Sequence, residues 1–155
     1  MATEIFVNLT TSDLNRAKAF YQALGWKLNP LFTDDNAACV VIDEQIYLMV
    51  LTREFFGTFT KKSIPDPHTS SQVQTAVSPA SRKDVDDLVE KAVAAGGNEP
   101  KAAQELGFMY SRDFEDPDGN EFSVLWMDPK AAELGPEAAM AVERESEGGG
   151  AAQPE

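Results

Sequence analysis

One hydropathy pattern occurs twice along the 155 residues of this chain: an alternating strand, a capped amphipathic helix, then three short β-prone runs. In the first half, Ile5, Val7 and Leu9 alternate with Phe6, Asn8 and Thr10, the two-residue period of a strand with one face on a core. Ser12 stands at the expected N-cap and Asp13 in the first turn, after which Leu14, Ala17, Tyr21 and Leu24 recur at helical spacing until Gly25. WKLNPLF, AACVVID and IYLMVLT follow, separated by Asn/Pro, Asp-Asp-Asn and Asp-Glu-Gln turn signals. The pattern then restarts. Gln72 to Val77 alternates with Val73, Thr75 and Val77 inward. Ser81 caps a helix with Asp84 in the capping-box position and with Val85, Leu88, Val89 and Ala92 as its apolar stripe, and Gly96-Gly97 ends it. Short runs through Asn98 to Pro100, GFMYSRDF and NEFSVLWM complete the set, the last two flanking an Asp116-Pro117-Asp118-Gly119 turn. The expected fold is therefore α+β, two tandem βαβββ modules at about 4–62 and 70–129 inside one domain, 1–129. The repeat rests on matched patterns, because residue identity between the halves is low.

Two segments fall outside the repeat. Residues 53–71 carry a glycine, two prolines and a Ser/Thr cluster and read as a linker or lid, with Glu54, Phe55, Phe56 and Phe59 forming a short helix that shields a cleft. Residues 130–155 are rich in Ala, Glu and Gly and read as a flexible tail with one helical turn around Glu137 to Arg144.

Charge narrows the partners. A formal net charge of −13 and no basic patch disfavour nucleic acid and anionic bilayers. The single cysteine, Cys39, excludes an internal disulfide and thiolate metal clusters, and its apolar run AACVVI marks it as a small core residue. The N-terminal residues MATEIFVNL show no basic segment followed by an apolar one, and no stretch approaches the length of a membrane span, so a cytoplasmic location is expected.

The paired modules, the stretch SDLNRAKAFYQALGW and the hairpin EDPDGNEF together resemble the vicinal oxygen chelate superfamily, which includes glyoxalase, the bleomycin-resistance proteins and the extradiol dioxygenases. The resemblance covers about residues 4–128. It implies curled mixed sheets that enclose a cleft and, in the metal enzymes, His, Gln or Glu at four cleft positions. Here those positions fall on Phe6, Met49, Gln72 and Ser123. A ring, a thioether and an alcohol are poor matches for a hard dication, so no metal site and no cofactor are expected. His68, in the loop PDPHTSS, reads as an exposed loop residue.

With Asp116 to Gly119 as the hairpin turn, Arg112 is expected opposite Ser123, Tyr110 opposite Leu125 and Phe114 opposite Glu121, all on one face. That register groups Asn8, Met49, Gln72, Gln74, Tyr110, Arg112 and Ser123 as ligand-binding candidates, with Glu121 the one carboxylate nominated as a general base. The leading expectation is a metal-free binder of a small organic molecule, working as a homodimer. The alternatives are a divalent-metal lyase or dioxygenase with Gln72 and Glu121 or Glu115 as displaced ligands, and a catalytically silent structural dimer. Whether the chain is an enzyme stays open at this level.

Overall fold

The computed structural model describes residues 2–148. Its elements run β1 (Ile5–Thr11), α1 (Leu14–Ala23), β2 (Lys27–Leu28), β3 (Ala37–Asp43), β4 (Ile46–Thr52), α2 (Arg53–Phe56), β5 (Gln74–Val77), α3 (Arg82–Ala94), β6 (Gln104–Glu105), β7 (Met109–Glu115), β8 (Glu121–Met127), α4 (Pro129–Leu134) and α5 (Pro136–Gly148). Two separate four-stranded sheets result, ordered β1-β4-β3-β2 and β5-β8-β7-β6. In each, the first strand pairs in parallel with the last and the remaining pairs are antiparallel. This is the α+β repeat of βαβββ modules that the hydropathy pattern implies. The sheets stay open: β1 and β2 form the edges of one, β5 and β6 those of the other. No described helix is long and apolar enough to cross a membrane.

One core serves both modules. Leu14, Ala17, Phe20 and Tyr21 of α1 and Val85, Val89 and Ala92 of α3 pack with Leu48 and Val50 of β4, Phe114 of β7 and Phe122 and Val124 of β8. Phe114 and Phe122 stack at 4.8 Å between centroids, and Phe20 sits 6.1 Å from Phe114, so rings from the two halves touch. Burying each such ring contributes roughly 1.5–3 kcal/mol, which makes the shared cluster the main apolar bond between the modules.

Several local expectations change. The N-cap of α1 is Asp13, whose side chain accepts from the Arg16 amide; Ser12 is engaged elsewhere. The run WKLNPLF gives only the two-residue β2 and then a 3₁₀ turn at Pro30–Phe32, because Asn29 caps that turn through the Leu31 amide. β5 begins at Gln74, leaving Gln72 and Val73 in the preceding segment with Val73 exposed. Residues from Pro129 to Gly148 form α4 and α5 in place of a flexible tail with one turn. Ala131 and Ala139 seat them on Phe108, an anchor that lies outside the segment and so leaves no mark within it. The tail from residue 149 onward lies outside the described residues.

Gly119 carries φ +91°, and a Cβ there would meet the His68 backbone N at 2.7 Å and its Nδ1 at 2.8 Å. Gly25 has a similar φ of +92° with nothing within 4 Å. Left-handed strain is common to both, about 1–2 kcal/mol, while overpacking of about 1–3 kcal/mol applies only at Gly119. Chemical denaturation is therefore expected to show Gly119→Ala losing more stability than Gly25→Ala by about 2 kcal/mol. Equal losses would mean that residues 67–68 do not rest on the turn.

Candidate functional site

The site is assembled by the turn between β7 and β8. Asp116 closes the ladder against Asn120, its amide donating to the Asn120 carbonyl at 2.9 Å, so residues 117–119 form the loop. One Asp116 oxygen accepts from the amides of Asp118 and Asn120, and the other from Asn120 Nδ2 at 2.8 Å and from the Tyr21 hydroxyl at 2.6 Å. Asp118 points into the first module. It accepts from Thr11 Oγ1 at 2.6 Å, from the Ser12 amide and hydroxyl at 2.9 and 3.0 Å, and from Arg16 Nη2 at 2.9 Å. Asn120 Nδ2 also donates to the Thr10 carbonyl at 3.0 Å. The second module's hairpin is thus latched onto the first module's strand-to-helix turn. Burial pushes the Asp116 carboxyl up against the pull of its Tyr21 and Asn120 hydrogen bonds, and burial beside Asp116 pushes the Tyr21 phenol well up.

Around this latch, residues 56–73 fold back as a strap. Arg53 holds its return by donating to the carbonyls of Ile64 and Pro65 at 2.8 and 3.1 Å. Between strap, β1 and the start of β8 lies a cavity of about 330 Å³. Leu9, Phe56, Ile64, Pro67 and Val73 give it apolar walls; Asn8, Gln72, Asn120 and Glu121 supply polar groups. Glu121 is half-buried, and its Oε2 accepts from Ser71 Oγ at 2.5 Å. A larger cavity of about 520 Å³ opens between the modules near Ile5, Val7, Trp26, Val77, Leu88 and Leu125, with Asp43 as its one charged wall residue.

The structure thus brings together three sequence candidates, Asn8, Gln72 and Glu121. Met49, Gln74 and Ser123 share the sheet faces turned away from the helices: Asn8 pairs with Met49, Gln74 with Glu121, and Ala76 with Ser123. None of these three lines the cavity. Phe6, on that same face, stacks on Tyr47 at 4.6 Å. The strap residues Phe56, Ile64, Pro67 and Val73 escaped the candidate set, although reading 53–71 as a lid with a short helix over Phe55 and Phe56 pointed toward them.

The expected hairpin register is corrected by one residue. Arg112 lies opposite Val124, Tyr110 opposite Trp126, Phe114 opposite Phe122, and Ser123 opposite Asp113. Every β7 residue therefore changes face relative to the expectation, and Tyr110 and Arg112 leave the ligand-facing set. Both point toward α3. Tyr110 donates to Asp86 at 2.6 Å; Arg112 donates to Glu99 through Nε and Nη2 at 2.8 and 2.9 Å and to Asp86 at 2.9 Å. Hydrogen bonds from Arg112 hold the Glu99 carboxyl below its ordinary value, and those from Tyr110 and Arg112 do the same for Asp86. The Arg112 guanidinium is pushed up in turn, chiefly by Glu99.

The donor set does not fit a divalent ion. Of Phe6, Met49, Gln72 and Ser123 only Gln72 and Ser123 offer hard oxygens, and both are neutral. Among the described residues no three His, Cys, Asp or Glu side chains converge in a metal-holding group. Asp116 and Asp118 of the hairpin are occupied as latch acceptors, and His68 is exposed beside Gly119.

Residues 3–43 match the family described as bleomycin resistance protein-like N-terminal. No curated protein matches the chain. Among solved structures, a hypothetical protein from S. aureus, SA1046, is 25% identical with a TM-score of 0.69, over 81% of this chain and 94% of that one. A glyoxalase/bleomycin resistance protein/dioxygenase family enzyme from Burkholderia phytofirmans is 22% identical with a TM-score of 0.66, over 81% and 99%. A glyoxalase-related enzyme from Fulvimarina pelagi is 19% identical with a TM-score of 0.68, over 81% and 88%. The paired βαβββ architecture is thus the glyoxalase fold. With its N-terminal segment matching the bleomycin resistance protein-like model, the chain resembles the glyoxalase/bleomycin-resistance/dioxygenase superfamily, in line with the vicinal oxygen chelate resemblance of its motifs.

The Arg112 network makes stability depend on pH. Carboxyls depressed below their ordinary values of 3.8 for Asp86 and 4.5 for Glu99 stabilise the fold fully above those values, and lose that contribution as pH falls through the lowered ones. Arg112→Met is expected to cost about 1–2 kcal/mol at neutral pH, between exposed and buried pairs. Denaturation at stepped pH is expected to show the gap to the unsubstituted protein narrowing as pH falls below those ordinary values. A gap independent of pH would contradict the ion-pair assignment.

Proposed function

We propose that this protein is a binder of a small organic molecule and that the cavity beneath the strap is its site. The observation that carries the reading is that one concavity gathers side chains from β1, from the strap and from β8, with apolar walls and a few amide and carboxylate groups. Such a lining suits reversible capture of an amphipathic ligand, with polar groups fixing its orientation. The neutral donors at the superfamily's metal positions support binding without a metal ion and give no support to a lyase or dioxygenase chemistry routed through one. Phe6, 48% exposed, and Ile46, 41% exposed, sit on the β1-β4-β3-β2 sheet, which remains open and so supports closure by a second copy of the chain. Excess negative charge and the lone buried Cys39 support a cytoplasmic setting.

A fragment screen followed by amide chemical shifts tests the site. Ligands are expected to perturb Val73, Gly119 and Asn120, and Val73→Trp is expected to weaken them at least about tenfold by filling the cavity. Perturbations confined to the Trp26 and Val77 region would move the site to the larger gap. In parallel, calorimetric titration with nickel, zinc, manganese and ferrous ions is expected to give no stoichiometric uptake at neutral pH; tight uptake of one ion would overturn the metal-free reading.

A further inference from the structure

We infer that Glu121 sets the ligand class of the strap cavity, selecting a small organic cation with an apolar body; this rests on the cavity being the binding site. Among the described residues lining that cavity, Glu121 carries the one carboxylate. It is half-buried, and among the described residues the only hydrogen bond of its carboxylate is the neutral one from Ser71 Oγ. Among the described residues it makes no ion pair. Directly across the ladder, on the same face, stands Glu115, also half-buried and held only by backbone bonds and the Asn98 side-chain amide at 3.2 Å. Like charges facing one another in a sheet are unfavourable unless a positive group comes between or beside them, and among the described residues neither carboxylate has an ion-pair partner.

The surroundings favour an external cation over an internal one. Leu9, Phe56, Ile64, Pro67 and Val73 place apolar surface along one side of the cavity, which reduces the screening of a charge pairing made against it. The one cationic residue among the lining, Lys62, is exposed on the strap, where solvent screens it. Glu121 enters β8 directly after the latched Asn120, so its backbone is held by the same hydrogen bonds that join the modules. A rigidly placed carboxylate facing apolar walls discriminates by charge, and Ser71 is the group an incoming ammonium would share it with.

Three probes with one body and different charge test this: 2-phenylethylamine, 2-phenylethanol and 3-phenylpropanoate, titrated against the full chain by amide chemical shifts. The amine is expected to bind roughly tenfold or more tightly than the alcohol, and the propanoate weakest. Glu121→Gln, which keeps the shape, is expected to bring the amine and the alcohol to about equal affinity. Ser71→Ala, which removes the competing donor, is expected to keep or raise the amine's advantage. Equal binding of amine and alcohol, or an advantage that survives Glu121→Gln, overturns the charge selection and leaves the cavity standing as a site. Absence of any shift at Val73, Gly119 and Asn120 with all three probes overturns the cavity itself, and the selection with it.

Discussion

Two aspartates, two residues apart in one hairpin, hold this molecule's halves in register. Asp116 organises the turn from within, accepting from two backbone amides, an amide side chain and the Tyr21 hydroxyl, while Asp118 reaches out to Thr11, Ser12 and Arg16. Buried carboxylates are tolerable only when their acceptor capacity is filled, and charge-assisted bonds of this kind contribute roughly 1.5–3 kcal/mol each before desolvation is charged against them. Apolar packing between α1, α3 and the two sheets supplies the larger attraction, but it is non-directional. The latch supplies direction. It fixes where β8 starts, and so where Glu121 stands relative to β1 and the strap.

That dependence explains what the sequence made legible. Both modules, the core helices α1 and α3, the Ser81 cap and the inward faces of β1 and β8 follow from the sequence pattern, because burial imposes the same period on packing that the residues display. The face of β8 was readable for the same reason: Phe122 and Val124 are buried, with Glu121 and Ser123 on the other side. The face of β7 was misread. Asp-Pro-Asp-Gly looks like a complete turn, yet the Asp116 side chain caps the amides at 118 and 120 and makes Asp116 itself the last paired residue. One residue of slip exchanges faces, so Arg112 and Tyr110 moved from the ligand side to the α3 side. Phe114 held the clue, since pairing it with Phe122 instead of Glu121 matches apolar to apolar.

The cavity was harder to read because half of its wall has no period. Residues 56–73 contain no strand or helix beyond α2, and their path is set by contacts distant in sequence: Arg53 to the carbonyls at 64 and 65, and Gly119 beneath Pro67 and His68. Asn8 and Gln72 could be nominated from strand alternation. Phe56, Ile64 and Val73 become wall residues only once the strap is folded back. The metal positions show the reverse situation: the motif resemblance assigns them to Phe6, Met49, Gln72 and Ser123, residue types poorly suited to a hard dication.

Amide hydrogen exchange at Ser12 reports most directly on the docking of the modules, because that backbone N–H, at an exposed residue of the first module, donates to the Asp118 side chain of the second. If the latch belongs to the cooperative fold, Ser12 exchanges only on global opening, as slowly as the core amides of Leu48 and Val50 in β4. Exchange at the rate of an unstructured peptide, with β4 still protected, would contradict it: the hairpin would then rest on the first module without being fastened to it, and the cavity between them would have no fixed wall.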